Sequence, residues 1–200
     1  YGHSVVAGEG VTVKNAHFAN PSANWVLNYQ NAALHNVTFE KCWFNDTEGV
    51  RYAYAKENVT FTECIFGYES CSRGVHFDNK SGDAEAIVTF NKCTLYGFQA
   101  LGGGVDKFIF NNCTFAENTR PQNVVNMYNY VEYNNCTFNP LMHCDCAGNG
   151  VTAVFNGCSY TDGSNITSIV RFDKDPATCT ITFDGIPYSD AQNMTNISDG

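Results

Sequence analysis

The sequence predicts an all-β solenoid, a parallel β-helix of about eight coils, on three observations. An eight-residue phrase recurs along the chain, its copies stand 20–29 residues apart, and large apolar residues fall at fixed places inside it. Repeats of this length are too small to bury a core alone and must stack on their neighbours. In chain order the copies are VTVKNAHF (Val11–Phe18), VTFEKCWF (Val37–Phe44), VTFTECIF (Val59–Phe66) and VTFNKCTL (Val88–Leu95). They continue as FIFNNCTF (Phe108–Phe115), VEYNNCTF (Val131–Phe138), AVFNGCSY (Ala153–Tyr160) and ITFDGIPY (Ile181–Tyr188). The sixth position runs Ala16, Cys42, Cys64, Cys93, Cys113, Cys136, Cys158 and Ile186, an inward cysteine column with ends of other apolar types.

Each phrase reads as two short strands. Val59 and Phe61 are two apart and so share a face, as do Cys64 and Phe66, while two residues between the pairs break the alternation. A strand, a two-residue bend and a second strand put all four large residues into one core. A third apolar patch follows in most coils: Trp25-Val26-Leu27, Tyr52 with Tyr54, Val75 with Phe77, Val124 to Met127, and Ile169 to Phe172. Three strands per turn of this length give a parallel β-helix. A leucine-rich repeat is disfavoured by scarce leucine and the missing helical half. The remaining alternative is an antiparallel sandwich.

The first bend position runs Lys14, Glu40, Thr62, Asn91, Asn111, Asn134, Asn156 and Asp184. Four consecutive asparagines at one corner suit a left-handed backbone conformation, and stacked amides there can form a ladder from rung to rung. In this pattern the chain resembles the right-handed, pectin-lyase-like β-helix superfamily, over roughly residues 11–188. The resemblance implies a right-handed coil and lies in the fold pattern alone. The catalytic clusters of enzymes on that fold are missing here: neither several Asp residues for calcium beside a basic proton abstractor, nor Gly-His-Gly and Arg-Ile-Lys segments, is present.

A repeat running end to end argues for one domain over 1–200, with a core of about 11–188 and short terminal segments 1–10 and 189–200. No apolar run approaches the ~20 residues of a membrane span. The chain begins at Tyr1 without Met and shows no signal peptide, so a mature or trimmed product is expected. With 20 acidic and 11 basic residues the net charge is −9, and no basic stripe offsets it. Nucleic acid is therefore excluded as a partner.

Nine Asn-X-Ser/Thr sequons occur, at Asn36, Asn45, Asn58, Asn79, Asn112, Asn135, Asn165, Asn193 and Asn196. Asn36 and Asn58 both precede the first strand of their phrase, and Asn112 and Asn135 both hold the second bend position. Repeating register predicts columns of N-glycans along two corners and passage through a secretory pathway to the extracellular surface. Ten cysteines agree with an oxidising compartment: the six of the column, with Cys71, Cys144, Cys146 and Cys179 outside it. All ten are disulfide candidates. Rungs ~4.8 Å apart are within disulfide reach, so Cys42–Cys64, Cys93–Cys113 and Cys136–Cys158 are conceivable bridges, though parallel side chains make the dihedral awkward. Cysteine as a small buried hydrophobe is the other use.

No residue set reads as catalytic, and no cofactor or metal is expected. The nearest carboxylate group is Glu40, Asp46, Glu48 and Glu63 with Lys41 and Lys92, a constellation that resembles a glycosidase pair but fits a solvated charged corner better. His76 beside Asp78 reads as structural. Gly102-Gly103-Gly104 reads as a tight turn. His143-Cys144-Asp145-Cys146 lacks the second spaced pair a metal site needs. The expected function is an N-glycosylated extracellular structural module, self-associating end to end into a surface fibre, because no capping helix flanks the repeats. The alternatives are a carbohydrate-active enzyme, and a carbohydrate-binding or adhesion module using Tyr52, Tyr54, Tyr128 and Tyr130.

Overall fold

The structure is a computed structural model describing residues 10–19, 34, 36–45, 50–53, 58–71, 73–77, 86–102, 105–119 and 123–188. Outside them lie Trp25-Val26-Leu27, Asp46, Glu48, Tyr54, Asp78, Asn79, Gly103, Gly104, Asn193 and Asn196. The first phrase forms β1 (Thr12–Lys14) and β2 (His17–Ala19). The second forms β3 (Val37–Glu40), β4 (Trp43–Asn45) and β5 (Val50–Ala53); the third forms β6 (Val59–Thr62), β7 (Ile65–Phe66) and β8 (Arg73–Phe77). Next come β9 (Ile87–Asn91), β10 (Thr94–Leu95) and β11 (Phe98–Leu101), then β12 (Lys107–Asn111), β13 (Thr114–Phe115) and β14 (Val124–Met127). These lead to β15 (Tyr130–Asn134), β16 (Thr137–Phe138) and β17 (His143–Cys146), and to β18 (Thr152–Asn156), β19 (Ser159–Tyr160) and β20 (Val170–Phe172). A 3-10 turn at Pro176–Thr178 precedes β21 (Thr180–Phe183) and β22 (Ile186–Pro187).

These strands stack into three sheets, in the orders β1-β3-β6-β9-β12-β15-β18-β21-β22, β2-β4-β7-β10-β13-β16-β19 and β5-β8-β11-β14-β17-β20. Among the described residues every pairing is parallel except β21 with β22. The chain is thus an all-β parallel solenoid. It makes about five turns, not the eight coils counted from the phrase. The reason lies at the ends. Among the described residues six segments supply a third-sheet strand, six stacked strands are five steps apart, and the last phrase turns back on itself.

Inside, the third residue of every phrase but the first builds one aromatic column. Phe39, Phe61, Phe90, Phe110, Tyr133, Phe155 and Phe183 stack with centroids 4.5–5.2 Å apart. A second column meets it edge-on: Phe44 lies 77° from Phe39 and Phe66 lies 80° from Phe61. Offset stacks within columns and perpendicular contacts between them both satisfy the ring quadrupole. These rings are buried, all but Phe183 almost completely, so the hydrophobic effect and register reinforce each other along the stack.

The corner differs from the sequence expectation. The left-handed residue is the second of the bend, at Asn15, Lys41, Glu63, Lys92, Asn112 and Asn135, with Gly157 and Gly185 in the last two copies. All six non-glycine residues have φ between 52° and 55°. In every copy but the last, the first bend residue ends its strand instead, which frees its side chain to reach the next rung. Asn111 Nδ2 donates to Asn91 Oδ1 at 2.9 Å, Asn134 Nδ2 to Asn111 Oδ1 at 3.0 Å, and Asn156 Nδ2 to Asn134 Oδ1 at 2.9 Å. Asn134 also reaches Glu132 Oε1 at 2.8 Å.

All ten cysteines are free thiols, so the expected bridges are not formed. Each of the six phrase cysteines directs its Sγ–H to backbone carbonyls rather than to a bond with another cysteine. Cys113 reaches Phe90 O at 3.3 Å and Asn111 O at 3.5 Å; Cys136 reaches Phe110 O at 3.4 Å and Asn134 O at 3.6 Å. Cys42, Cys64, Cys93 and Cys158 repeat the pattern. Burial holds the Cys93 thiol well above the usual thiol range, which keeps it protonated and unreactive.

At the C-terminal end the final phrase departs from the others. Asp184 and Gly185 both take positive φ, 49° and 77°, the requirement of a two-residue hairpin turn that Asp-Gly satisfies. Strand β22 therefore folds back antiparallel on β21, with Phe183 opposite Ile186 and Thr182 opposite Pro187. This corrects the expectation of two uncapped ends: the first sheet is closed there by a two-residue strand carrying a proline, a short edge that resists further pairing.

Candidate functional site: a polar row on the third sheet

Strand β17 shows how a polar face arises over a sulfur-lined core. Alternation along His143–Cys144–Asp145–Cys146 sends both cysteines inward, fully buried, and both titratable side chains outward. The segment that reads from sequence as a metal or disulfide candidate is a strand of the coil. Cys144 Sγ contacts the hydroxyl of Tyr133 at 4.0 Å, and no cluster of metal-ligating residues occurs among the described residues.

Parallel register extends the outward row along the axis. His76 is level with Ala100, Ala100 with Asn126, Asn126 with Asp145, and Asp145 with Arg171. Arg171 Nη2 lies 2.7 Å from His143 Nε2, diagonally across one rung. Because a guanidinium only donates, Nε2 accepts and the imidazole is neutral, with its proton on Nδ1. Burial, then the charge of Arg171, holds His143 below the ordinary histidine range. Asp145 Oδ1 is shielded from solvent and has no hydrogen-bond partner among the described residues. Burial foremost, and then Asp173, push its carboxyl up to about 6, against the opposing pull of Arg171. A cation, a neutral imidazole and a carboxyl that gains its proton near pH 6 are the components of acid–base chemistry.

The other sequence candidates are dispersed. Glu40 pairs with Lys14 at 2.7 Å and Glu63 with Lys41 at 3.7 Å, both solvent-exposed ion pairs between rungs, as a charged corner predicts. His76 is half-buried with Phe98 edge-on at 6.4 Å. Tyr128 is exposed, while Tyr130 carries Lys107 over its ring at 4.9 Å and donates to Glu132 at 3.1 Å. Of the sequon asparagines, Asn36, Asn58, Asn112, Asn135 and Asn165 are exposed and Asn45 is half-buried. Asn58 Oδ1 accepts from Ile87 N at 3.3 Å.

Two hollows lie elsewhere. One of about 350 Å³ is lined by Trp43, Ile65, Gly67, Tyr68, Glu69 and Tyr96; one of about 480 Å³ lies at the C-terminal end between Ile166 and Tyr188. Each contains a single carboxylate, Glu69 or Asp184. Trp43 is pinned by its Nε1 donating to Gly67 O at 3.1 Å and by His17 stacked on its face at 4.5 Å.

Arg171 is the member of the row with no signal in the sequence; only the register of β20 against β17 brings it beside His143. No protein-family model matches the chain, and neither the curated proteins nor the solved structures give a match.

Proposed function

We propose that this chain is a structural module of an extracellular surface, wound right-handed like the pectin-lyase-like helices and N-glycosylated along its bends. The observation that carries the reading is the exposure of five sequon asparagines, Asn36, Asn58, Asn112 and Asn135 at bends or strand entries and Asn165 in the loop before β20. The uninterrupted aromatic core beneath them gives a rod whose lateral corners are free for sugar. Handedness follows the strong preference of parallel crossovers.

Self-association uses the end that carries β1 and β2, since each is the terminal strand of its sheet and pairs on one side among the described residues. The β22 hairpin blocks the opposite edge of the first sheet, so growth there uses the ends of the second and third sheets, at β19 and β20. Sugars on the corners oppose side-by-side packing, and the charge of −9 is screened beyond ~8 Å at physiological salt. Electron microscopy of native material tests the assembly: rods joined end to end are expected, and single particles at high concentration overturn it.

The row of His143, Asp145 and Arg171 favours a second reading, a carbohydrate-active enzyme with an acid–base site on the third sheet. Turnover of a glycan that is lost in Asp145→Asn and retained in Glu40→Gln would promote it over the structural reading.

A further inference from the structure

We propose that Cys146 and Cys179 are a disulfide-forming pair that locks the C-terminal turn onto the body of the solenoid. The inference is independent of the proposed function, because it concerns which thiols of this chain can join.

The two cysteines occupy the same corner in successive coils. Cys146 ends β17, and residues 147–151 turn the chain into β18. One rung later β20 ends at Phe172, opposite Cys146, and residues 173–179 turn the chain into β21. The two turns are stacked by Thr180 N donating to Val151 O at 2.8 Å and Gly150 N to Thr178 Oγ1 at 3.5 Å. Cys179 packs against the same core that buries Cys146, and the Cys146 thiol is held above its usual range by burial first and then by the neighbouring Cys179 side chain.

Geometry separates this pair from the six thiols of the column. Column cysteines project in parallel from successive rungs, which opposes the near-perpendicular dihedral of a disulfide. Their hydrogens also reach carbonyls on two rungs, as the contacts of Cys113 and Cys136 show. Cys179 follows a 3-10 turn instead of holding a ladder position, so its Cβ direction is not tied to that of Cys146. Among the described residues its sulfur lies 3.9 Å from Thr178 Oγ1 and 4.0 Å from Asp175 O, besides the neighbouring Cys146 side chain. It is also half-exposed, whereas Cys146 is buried. An accessible attacking thiol beside a sheltered resolving one is the arrangement that exchange chemistry uses.

The step is balanced by a low-molecular-weight disulfide such as oxidised glutathione. The Cys179 thiolate attacks one glutathione sulfur, breaking its S–S bond and releasing one glutathione thiolate. The Cys146 thiol, held protonated by burial, gives its proton to the released glutathione thiolate as its sulfur attacks the Cys179 sulfur of the mixed disulfide and expels the second. Both protein thiol protons end on the two glutathione thiolates, and the glutathione disulfide takes up the two electrons.

The test is equilibration of the folded chain with excess oxidised over reduced glutathione, alkylation of remaining thiols, proteolysis and mass spectrometry. Cleavage at Arg171 and Lys174 puts the two cysteines in separate peptides, and because the one ending at Arg171 also carries Cys136, Cys144 and Cys158, fragmentation of the linked pair assigns the partner of Cys179. The expected result is one Cys146–Cys179 crosslink and a Tm raised by roughly 5–10 °C, reversed by dithiothreitol. Cys179→Ser, at a half-exposed turn, is expected to keep the far-ultraviolet circular dichroism spectrum and lose the oxidant-dependent shift. Crosslinks within the column instead, ten alkylatable thiols after equilibration, or an unchanged shift in Cys179→Ser each overturn the proposal.

Discussion

Arg171 Nη2 donates to His143 Nε2 across 2.7 Å, pairing a permanent cation with an imidazole that must stay neutral to accept. The unfolded chain binds a proton at His143 near pH 6.5, while burial and Arg171 depress that affinity in the folded state. Stability from this contact is therefore present above pH ~6.5 and lost as pH falls toward the lower folded value. Urea unfolding at a series of pH values is expected to show that decline, and His143→Gln is expected to flatten it. An unaltered pH profile in the variant contradicts the assignment.

Asp145 acts with the opposite sign. Its carboxyl is raised from 3.8 to about 6 on folding, so the folded state holds the proton more tightly. The stabilising contribution is complete below pH ~4 and lost as pH rises to ~6. Because the side chain is partly exposed, solvent screening reduces the effect to roughly 1 kcal/mol. Asp145→Asn is expected to stabilise the chain by about that amount at pH 7.5 and by nothing at pH 3.5. Equal effects at both pH values rule out the burial account.

The aromatic column gives the largest mutational cost. Phe110 lies between Phe90 at 4.5 Å and Tyr133 at 5.2 Å, with Phe115 edge-on at 5.3 Å. Phe110→Ala removes contacts to one ring in each neighbouring coil and one in its own, and is expected to cost about 3–5 kcal/mol. Ile65→Ala, on the outward face, is expected to cost under about 1 kcal/mol. Chemical denaturation distinguishes the two, and similar costs contradict the stacked core.

At the corner, Lys92 adopts φ 53°, a conformation that asparagine tolerates better. Lys92→Asn is expected to gain about 0.5–1 kcal/mol. Gly157→Ala is expected to lose about 1–2 kcal/mol, since φ is 59° and an added Cβ would stand 2.6 Å from Asn135 Oδ1. Thermal unfolding of both variants checks the pair, and a loss of stability in Lys92→Asn counts against the corner assignment.

The strands of the first two sheets are legible in the sequence because every phrase places its large residues with one spacing. Third-sheet strands are less so. In β11 a register shift turns Gln99 inward, where its amide accepts from Val75 N and donates to Tyr96 O at 2.7 Å, breaking the apolar signal. In β17 the pattern His-Cys-Asp-Cys suggests ligands, yet alternation alone explains it. The position of the left-handed residue is hidden by asparagine at both bend positions in 111–112 and 134–135; Lys41, Glu63 and Lys92 show that side-chain type does not select it. Asp184-Gly185 carries an ordinary hairpin signal, masked by its alignment with the repeat. Arg171 and His143 are 28 residues apart in sequence, and only coil length and register bring them together.

The most direct measurement of the central claim is the intact mass of the protein from its native source before and after treatment with an N-glycosidase. A glycan-bearing structural rod predicts the loss of several glycans, with deamidated asparagine appearing first at Asn58, Asn112 and Asn135. An unchanged mass, with those asparagines unmodified in native material, contradicts it.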